Sequence, residues 1–137
     1  MTQPPLTGVS HVALTVADLT RSAQWYTDVL GFRPLFPYDT DDFERRILLH
    51  ASGAVVALTQ HRGGRTGPFT ERNAGLDHLA FGVPGEADLH TWVEHFDALG
   101  VAHSGVSVTP VTGSALVAFR DPDGLQLELY VQVGLPS

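Results

Sequence analysis

The sequence contains no cysteine among its 137 residues. Disulfides and thiolate metal sites are therefore both excluded, and any metal ion must be held by imidazole and carboxylate groups. Basic residues are also scarce, with 8 Lys and Arg against 15 Asp and Glu and a formal net charge of -7. Because no basic stripe is available to neutralise phosphates, we expect no nucleic-acid partner.

Long hydrophobic runs are missing as well. No apolar stretch approaches the ~20 residues that a membrane-spanning helix needs. The opening residues Met1–Pro5 have neither the basic region nor the apolar region of a signal peptide. The hydrophobic content of 43% is typical of an ordinary globular chain. We therefore expect a cytoplasmic protein that does not bind membranes.

The chain repeats itself. Residues 10–16, Ser-His-Val-Ala-Leu-Thr-Val, return as residues 77–83, Asp-His-Leu-Ala-Phe-Gly-Val. Both segments alternate between apolar and small or polar residues, which predicts half-buried strands. A helical pattern follows each strand, the first from the N-cap Asp18 to the C-cap Gly31 and the second from about Glu86 to Gly100. Internal repetition of this kind indicates two copies of one structural module.

Three further short strands are predicted after each helix. We place them near residues 32–37, 44–50 and 54–60 in the first half, and near 101–108, 115–120 and 125–132 in the second. The order predicts an α+β fold of two βαβββ modules that form a curved mixed sheet with a concave metal cleft. We expect a single domain over residues 1–137, with module one at about 8–61, a glycine-rich linker at about 62–75 and module two at about 76–133.

Equivalent positions of the two modules carry the candidate metal ligands. His11 and His78 lie at the same register of the two first strands, whereas Glu128 and Ala57 each lie four residues after a turn glycine. Side chains alternate across a strand, so these residues share the face opposite the apolar one. Two imidazoles and a carboxylate match the facial arrangement that leaves coordination positions open. The sequence therefore predicts one divalent ion, Fe, Mn, Ni, Co or Zn, on His11, His78 and Glu128, with Glu128 also the predicted catalytic residue.

Each candidate ligand also has a simpler interpretation. A single histidine on a strand is more often a surface or hydrogen-bonded residue than a ligand, and a strand glutamate is often a solvated charge. The recurrence of histidine at one register in both repeats favours the metal interpretation. The other histidines do not recur in this way, and we interpret His61, His90, His95 and His103 as surface or loop residues. Arg46 and Tyr130 are further candidates for contact with a bound substrate.

Four motifs resemble one known family. They are residues 11–19 (His-Val-Ala-Leu-Thr-Val-Ala-Asp-Leu), residues 25–32 with Trp-Tyr and Leu-Gly-Phe, residues 76–81 (Leu-Asp-His-Leu-Ala-Phe) and residues 119–124 (Phe-Arg-Asp-Pro-Asp-Gly) leading to Glu128. In this order they resemble the vicinal oxygen chelate superfamily, which includes glyoxalases, extradiol dioxygenases, bleomycin-resistance proteins and fosfomycin-resistance enzymes. The resemblance implies the paired βαβββ fold and a homodimer, in which His11 of one chain approaches His78 and Glu128 of the other.

Departures from the family pattern narrow the expected activity. Members resembling glyoxalase I have a fourth ligand, usually glutamate, where this chain has Ala57, so that reaction is disfavoured. The tail at residues 131–137 lacks the basic residue expected to hold a phosphonate, and extradiol dioxygenases are usually longer chains. We therefore predict a small metal-dependent dioxygenase or lyase/transferase that acts on a small oxygenated metabolite.

Two alternatives remain at this point. One is a drug- or metabolite-binding protein of the bleomycin-resistance type without catalysis, which the net charge of -7 would suit if the ligand were cationic. The other is a structural module whose site has decayed. The intact set of His11, His78 and Glu128 disfavours both, because neither function needs three metal-competent groups on one face.

Overall fold

The computed structural model describes residues 2–65 and 67–131, and it divides the chain into two compact units at residues 67 and 68. Each unit consists of a strand, a helix and three further strands. The prediction of an α+β fold with two βαβββ modules is therefore confirmed. The boundary between the units falls inside the segment 62–75 that was expected to link the modules.

Unit 1 is a four-stranded mixed sheet with one helix. Its elements are β1 (Val12–Thr15), α1 (Leu19–Leu30), β2 (Arg33–Pro37), β3 (Phe43–Leu49) and β4 (Val55–His61). The strand order is β1-β4-β3-β2, in which β1 and β4 are parallel and the other pairs are antiparallel. The first and last strands of the module are thus neighbours.

The ends of α1 follow from its sequence. Asp18 caps the helix because its Oδ1 accepts a hydrogen bond from the Arg21 backbone N at 3.0 Å. Gly31 ends the helix with φ +81°, a left-handed conformation that costs glycine little. Among the apolar positions with helical spacing, Leu19, Tyr26 and Leu30 are buried. The predicted helix and its inward face are therefore confirmed.

Unit 2 repeats the arrangement with one short strand. Its elements are β5 (His78–Gly82), α2 (Glu86–Leu99), β6 (Ser107–Val108), β7 (Ala115–Arg120) and β8 (Gln126–Tyr130). The order is β5-β8-β7-β6, again with the first and last strands parallel. The final predicted strand ended at Gln132, which lies outside the described residues.

The strand predicted at residues 101–108 is mostly wrong. Only Ser107–Val108 form a strand, and His103 contributes a single isolated bridge to Phe119. Side chains have taken over the backbone hydrogen bonds here, because His103 Nδ1 accepts from the Gly105 N at 2.9 Å and Ser104 Oγ accepts from the Ala118 N at 2.9 Å. Such local side-chain bonds compete with a regular ladder.

The turn between β7 and β8 is confirmed and is stabilised by one carboxylate. Asp121 is buried, and its Oδ1 accepts hydrogen bonds from the backbone N of Asp123 and of Leu125, each at 2.9 Å. Gly124 adopts φ +83°, a left-handed conformation that other residues rarely take. The turn fixes where β8 begins, and therefore which residues of β8 face the helix.

In each unit the helix covers one face of the sheet, and we call the opposite face the helix-free face. The core of unit 1 includes Leu14, Leu48, Val56 and Leu58 from the covered face, and the core of unit 2 includes Leu89, Phe96, Val117, Leu127 and Leu129. In the part of the chain that the structure describes, neither helix is long and apolar enough to cross a membrane.

The core of unit 1 should be sensitive to cavities. Leu58 is 0% exposed, whereas Leu35 on the edge strand is 45% exposed. We expect Leu58→Ala to lower the free energy of unfolding by about 2–5 kcal/mol, because it removes buried methyl groups and leaves a void. The matched control Leu35→Ala should change it by under about 1 kcal/mol. Urea unfolding of the three proteins measures both values, and equal losses would contradict this assignment of the core.

Candidate metal centre

The pairing of β8 with its two neighbours arranges the helix-free face of unit 2 in rows. The residues that pair across the strands, and therefore share this face, are His78–Gln126–Arg120, Ala80–Glu128–Ala118 and Gly82–Tyr130–Leu116. Glu128 lies between two alanines, so its carboxylate has room on both sides. His78 lies one row away on the neighbouring strand. The sheet register alone therefore brings the predicted imidazole and carboxylate together.

The His78 ring is oriented by the residue that precedes it. Its Nδ1 lies 2.7 Å from Asp77 Oδ1, and its Nε2 lies 3.6 Å from Glu128 Oε2. With the carboxylate of Asp77 as acceptor, Nδ1 carries a proton, and Nε2 is the ring nitrogen that faces Glu128. A carboxylate behind the imidazole is the usual outer partner of a histidine that binds a metal ion.

The pKa of His78 is raised above its ordinary value. The hydrogen bond to Asp77 contributes most, and the negative charges of Glu128 and Asp77 add to it, while partial burial acts in the opposite direction. The proton of the His78 imidazolium is therefore harder to remove in the folded, metal-free protein than in an ordinary histidine. A metal ion on Nε2 would have to displace that proton, so metal affinity at this position should increase with pH.

Glu128 is held from the other side by an amide. Its Oε1 accepts a hydrogen bond from Gln126 Nε2 at 3.1 Å, and its side chain is only 12% exposed. Gln126 Oε1 in turn lies 3.4 Å from Arg120 NH2. Arg120 also donates to both oxygens of Glu71, at 3.3 and 3.4 Å, and to the Gly124 carbonyl at 2.8 Å. The Glu128 carboxylate thus ends a chain of side-chain hydrogen bonds.

Tyr130 shares this face with Glu128. Its hydroxyl lies 3.4 Å from Thr112 Oγ1 within a group of hydroxyls that also includes Ser114 and Thr109. Hydrogen bonds from this group, that of Ser114 foremost, lower the pKa of Tyr130. A surface depression of about 300 Å³ lies on the same sheet beside Arg120 and Gln126. The face therefore offers a phenol on the strand of Glu128, and the depression lies at the end of the sheet where Gln126 and Arg120 are paired.

His103 lies in the connecting segment before β6, as a loop histidine would, but it is largely buried and is one of the residues that line this depression. Its side chain is only 13% exposed, and its Nε2 lies 2.7 Å from Asp97 Oδ1. Because Nδ1 accepts from the Gly105 N, Nε2 carries the proton and Asp97 accepts it. Both ring nitrogens are therefore engaged in joining α2 to the segment before β6.

Unit 1 has the equivalent positions but a different set of side chains. His11 immediately precedes β1, is exposed, and has its Nδ1 2.9 Å from Ser10 Oγ. Ala57 pairs with Ala13 and Ile47, as Glu128 pairs with Ala80 and Ala118 in unit 2. The two modules therefore correspond at this row, and unit 1 has a buried methyl group where unit 2 has a carboxylate.

The structure also separates two neighbouring arginines. Arg46 pairs with the buried Leu58, so it lies toward the covered face, and its NH1 bonds Asp39 Oδ1 at 2.8 Å. Arg45 pairs with Thr59 and lies on the helix-free face with Ala57. Arg46, the predicted substrate contact, is thus placed on the face of the sheet opposite Ala57.

The predicted ligands divide between the units. His78 and Glu128 are brought together in unit 2, whereas His11 belongs to unit 1. Over residues 2–65 and 67–131, no three histidine, aspartate or glutamate side chains are grouped closely enough to hold a metal ion. The full set of three ligands stays a prediction. The supporting residues Asp77 and Gln126 were missed, although alternation along β8 already put Gln126 on the face of Glu128.

The influence of Asp77 on His78 can be measured in metal-free protein. Removing the charge with Asp77→Asn should lower the pKa of His78 toward the ordinary histidine value. Because its pKa is raised on folding, His78 stabilises the folded state when it is protonated. This contribution is fully present below the pKa of the unfolded state and is lost as pH rises through the pKa of the folded state. An NMR titration of the His78 ring protons checks the shift, with Asp88→Asn on α2 as control. An unchanged His78 pKa in Asp77→Asn would contradict the geometry.

Several known sequences are similar to this chain over most of its length. The chain is 32% identical to the uncharacterized protein YaeR of Escherichia coli, over 90% of this chain and 95% of that one. It is 32% identical to a lactoylglutathione lyase of Haemophilus influenzae, over 88% and 89% of the two chains. It is 31% identical to the putative ring-cleaving dioxygenase MhqA of Bacillus subtilis, but it spans only 39% of that protein.

The fold is also shared with solved structures of other proteins. A glyoxylase/bleomycin resistance protein/dioxygenase domain from Frankia superposes with a TM-score of 0.86 at 36% identity, covering 94% of this chain and all of that one. The fosfomycin resistance protein FosX of Listeria monocytogenes, solved with Mn(II), shares the fold at a TM-score of 0.69 and 19% identity, over 94% and 95% of the two chains. Residues 8–129 match the sequence pattern of one family. The chain belongs to the Glyoxalase/Bleomycin resistance protein/Dioxygenase superfamily.

Proposed function

We propose that the protein is a metal-dependent enzyme that acts on a small oxygenated metabolite. The observation that carries this proposal is the His78–Glu128 pair, in which each group has its own outer partner. An isolated surface pair has no need for Asp77 behind the imidazole and Gln126 behind the carboxylate. Nitrogen and oxygen donors of this kind suit Fe, Mn, Ni, Co or Zn.

His11 is the third ligand of the proposal. It repeats His78 at the equivalent register, it is exposed, and Ser10 rather than a carboxylate contacts its Nδ1. The family resemblance favours a homodimer in which His11 comes from the second copy. A divalent ion on these three residues would bind two oxygens of the substrate and stabilise negative charge that develops on them.

The remaining residues of the face have separate tasks. Gln126 keeps one oxygen of Glu128 occupied, so that the other stays directed toward His78. Tyr130 lies on the same strand and face as Glu128, next to the open position at Gly82, and its hydroxyl can donate a hydrogen bond to a substrate oxygen. The lowered pKa of Tyr130 makes its proton easier to transfer in that position.

The missing carboxylate at Ala57 limits the reaction. Ala57 can neither bind a metal ion nor accept a proton, so a reaction that needs a carboxylate base at this position is disfavoured. We therefore propose a dioxygenase or a lyase/transferase rather than a lactoylglutathione lyase, despite the 32% identity to one such enzyme. The row Ala13–Ala57–Ile47 also presents only apolar side chains, and Ile47 fills more space than its counterpart Ala118 in unit 2.

Metal loading tests the ligand set. We expect the chelator-treated protein to take up near-stoichiometric metal from one of the five ions, measured by elemental analysis after desalting. His11→Ala, His78→Ala and Glu128→Ala should each abolish retention. Asp77→Asn should weaken the affinity by about 10–100-fold, because it removes only the outer partner. The control His90→Ala on α2 should bind normally, and metal retained by all three ligand variants would refute the proposal.

Mixing two defective variants tests the origin of His11. If each site takes His11 from the other copy, a mixed dimer of His11→Ala and His78→Ala chains contains one intact site and one with neither histidine. Co-refolded or co-expressed mixtures should therefore regain metal that both variants lack alone. No recovery in a mixture that is shown to contain mixed dimers would place all three ligands in one chain.

A further inference from the structure

We propose that Arg45 forms an anion-binding site on the helix-free face of unit 1, and that the site takes an aromatic carboxylate. This site uses neither His11 nor any residue of unit 2, so it does not depend on the metal centre proposed above. It rests on the unusual environment of one guanidinium group.

The Arg45 side chain is fixed in position by three contacts. Its Nε donates a hydrogen bond to Thr59 Oγ1 at 2.8 Å, and the Thr59 side chain is buried. Its guanidinium carbon lies 4.3 Å from the centre of the Phe43 ring and 5.7 Å from the centre of the Tyr38 ring. Contact with two rings and one hydroxyl restricts both the position and the plane of the group.

These contacts engage Nε and the face of the guanidinium but not its two terminal nitrogens. In the described part of the chain, no hydrogen bond or ion pair involves Arg45 NH1 or NH2. The neighbouring Arg46 instead bonds Asp39, and Arg120 bonds both oxygens of Glu71. A guanidinium held by its Nε still presents two parallel N–H donors at its end, which match the two oxygens of a carboxylate.

The overall charge of the chain makes the environment of Arg45 distinctive. All eight basic residues of the chain are arginines, and the net charge is -7. Asp39 Oδ1 accepts from the Arg45 backbone N at 3.1 Å and from Arg46 NH1 at 2.8 Å, and among the described residues no carboxylate bonds the half-buried Arg45 guanidinium. A bound anion would supply the missing partner, and the fixed guanidinium would lose little conformational entropy on binding it.

The aromatic character of the ligand follows from the neighbouring side chains. Tyr38 and Phe36 are 54% and 51% exposed, so two aromatic side chains present apolar surface beside Arg45. Phe36 pairs with Ile47 and Tyr38 bonds the Arg45 carbonyl through its backbone N, so both flank Arg45 along the edge of the sheet. Two rows on one face are about 7 Å apart, roughly the length of a benzene ring with its substituents. A flat apolar body on these rings can thus place its carboxylate at the arginine.

Benzoate is the probe for this site, with acetate and benzamide as its aliphatic and neutral counterparts. We would titrate each into ¹⁵N-labelled, chelator-treated protein and follow the arginine Nε–Hε signals, of which the chain has only eight. Benzoate should shift the Arg45 signal saturably, and acetate and benzamide should bind at least about tenfold more weakly. Benzamide that binds as well as benzoate would overturn the anion site, and acetate that does so would overturn the aromatic class.

The adjacent arginine provides a matched control. Arg45→Gln should weaken benzoate binding by at least about tenfold, because the charged fork is lost, whereas Arg46→Gln should leave it unchanged. Arg45→Lys keeps the charge without the fork and should give an intermediate loss. The thermal midpoint of each variant shows whether it is folded, and Arg45→Lys serves if Arg45→Gln is not. Equal benzoate affinity in wild type and a folded Arg45 variant would refute the proposal.

Discussion

The parallel pairing of the first and last strands of each module is the constraint on which the candidate site depends. Residues that pair across strands share a face, so a single register assigns every side chain of the sheet to the helix or to the opposite side. In unit 2 the register joins His78 to Gln126 and Ala80 to Glu128. A shift of β8 by one residue would put Glu128 under α2 and Leu127 in its place. The Asp121–Gly124 turn prevents this shift by fixing where β8 begins.

The repeated strand pattern made most of this arrangement predictable. A period of two residues in segments 10–16 and 77–83 specified two strands, and the glycines after the turns aligned Ala57 with Glu128. Pairing confirms that alignment, because Ala57 lies opposite Ala13 as Glu128 lies opposite Ala80. Local sequence signals were sufficient here because each of these features depends on residues that are close together in the chain.

Features that depend on distant partners were not predictable in the same way. The burial and hydrogen bonding of His103 were not predictable, because nothing near it in the sequence indicates that Asp97 and the Gly105 N will satisfy both ring nitrogens. Arg45 and Arg46 are adjacent and chemically identical, and only the register of β3 distinguishes the residue on the helix-free face from the one paired with Asp39. The predicted third ligand raises the same difficulty, since His11 and His78 belong to different compact units.

The two modules show how one scaffold can carry different chemistry. In unit 2 the central row is Ala80–Glu128–Ala118, with small residues on either side of a carboxylate. In unit 1 the same row is Ala13–Ala57–Ile47, and the polar character has moved one row along to Thr59 and Arg45. One repeat thus presents an acceptor and the other a donor at neighbouring rows of equivalent sheets.

The hydrogen bonds between Glu71 and Arg120 attach the segment before β5 to the sheet of unit 2. Glu71 lies 49 residues before Arg120, in the segment that leads from unit 1 into the first strand of unit 2. Both carboxylate oxygens are engaged by Arg120, and Arg120 reaches Glu128 through the single amide of Gln126. These bonds therefore form a continuous series from the segment before β5 to the Glu128 carboxylate. Through Arg120 and Gln126, a change in the position of Glu71 would be transmitted to the orientation of the Glu128 carboxylate.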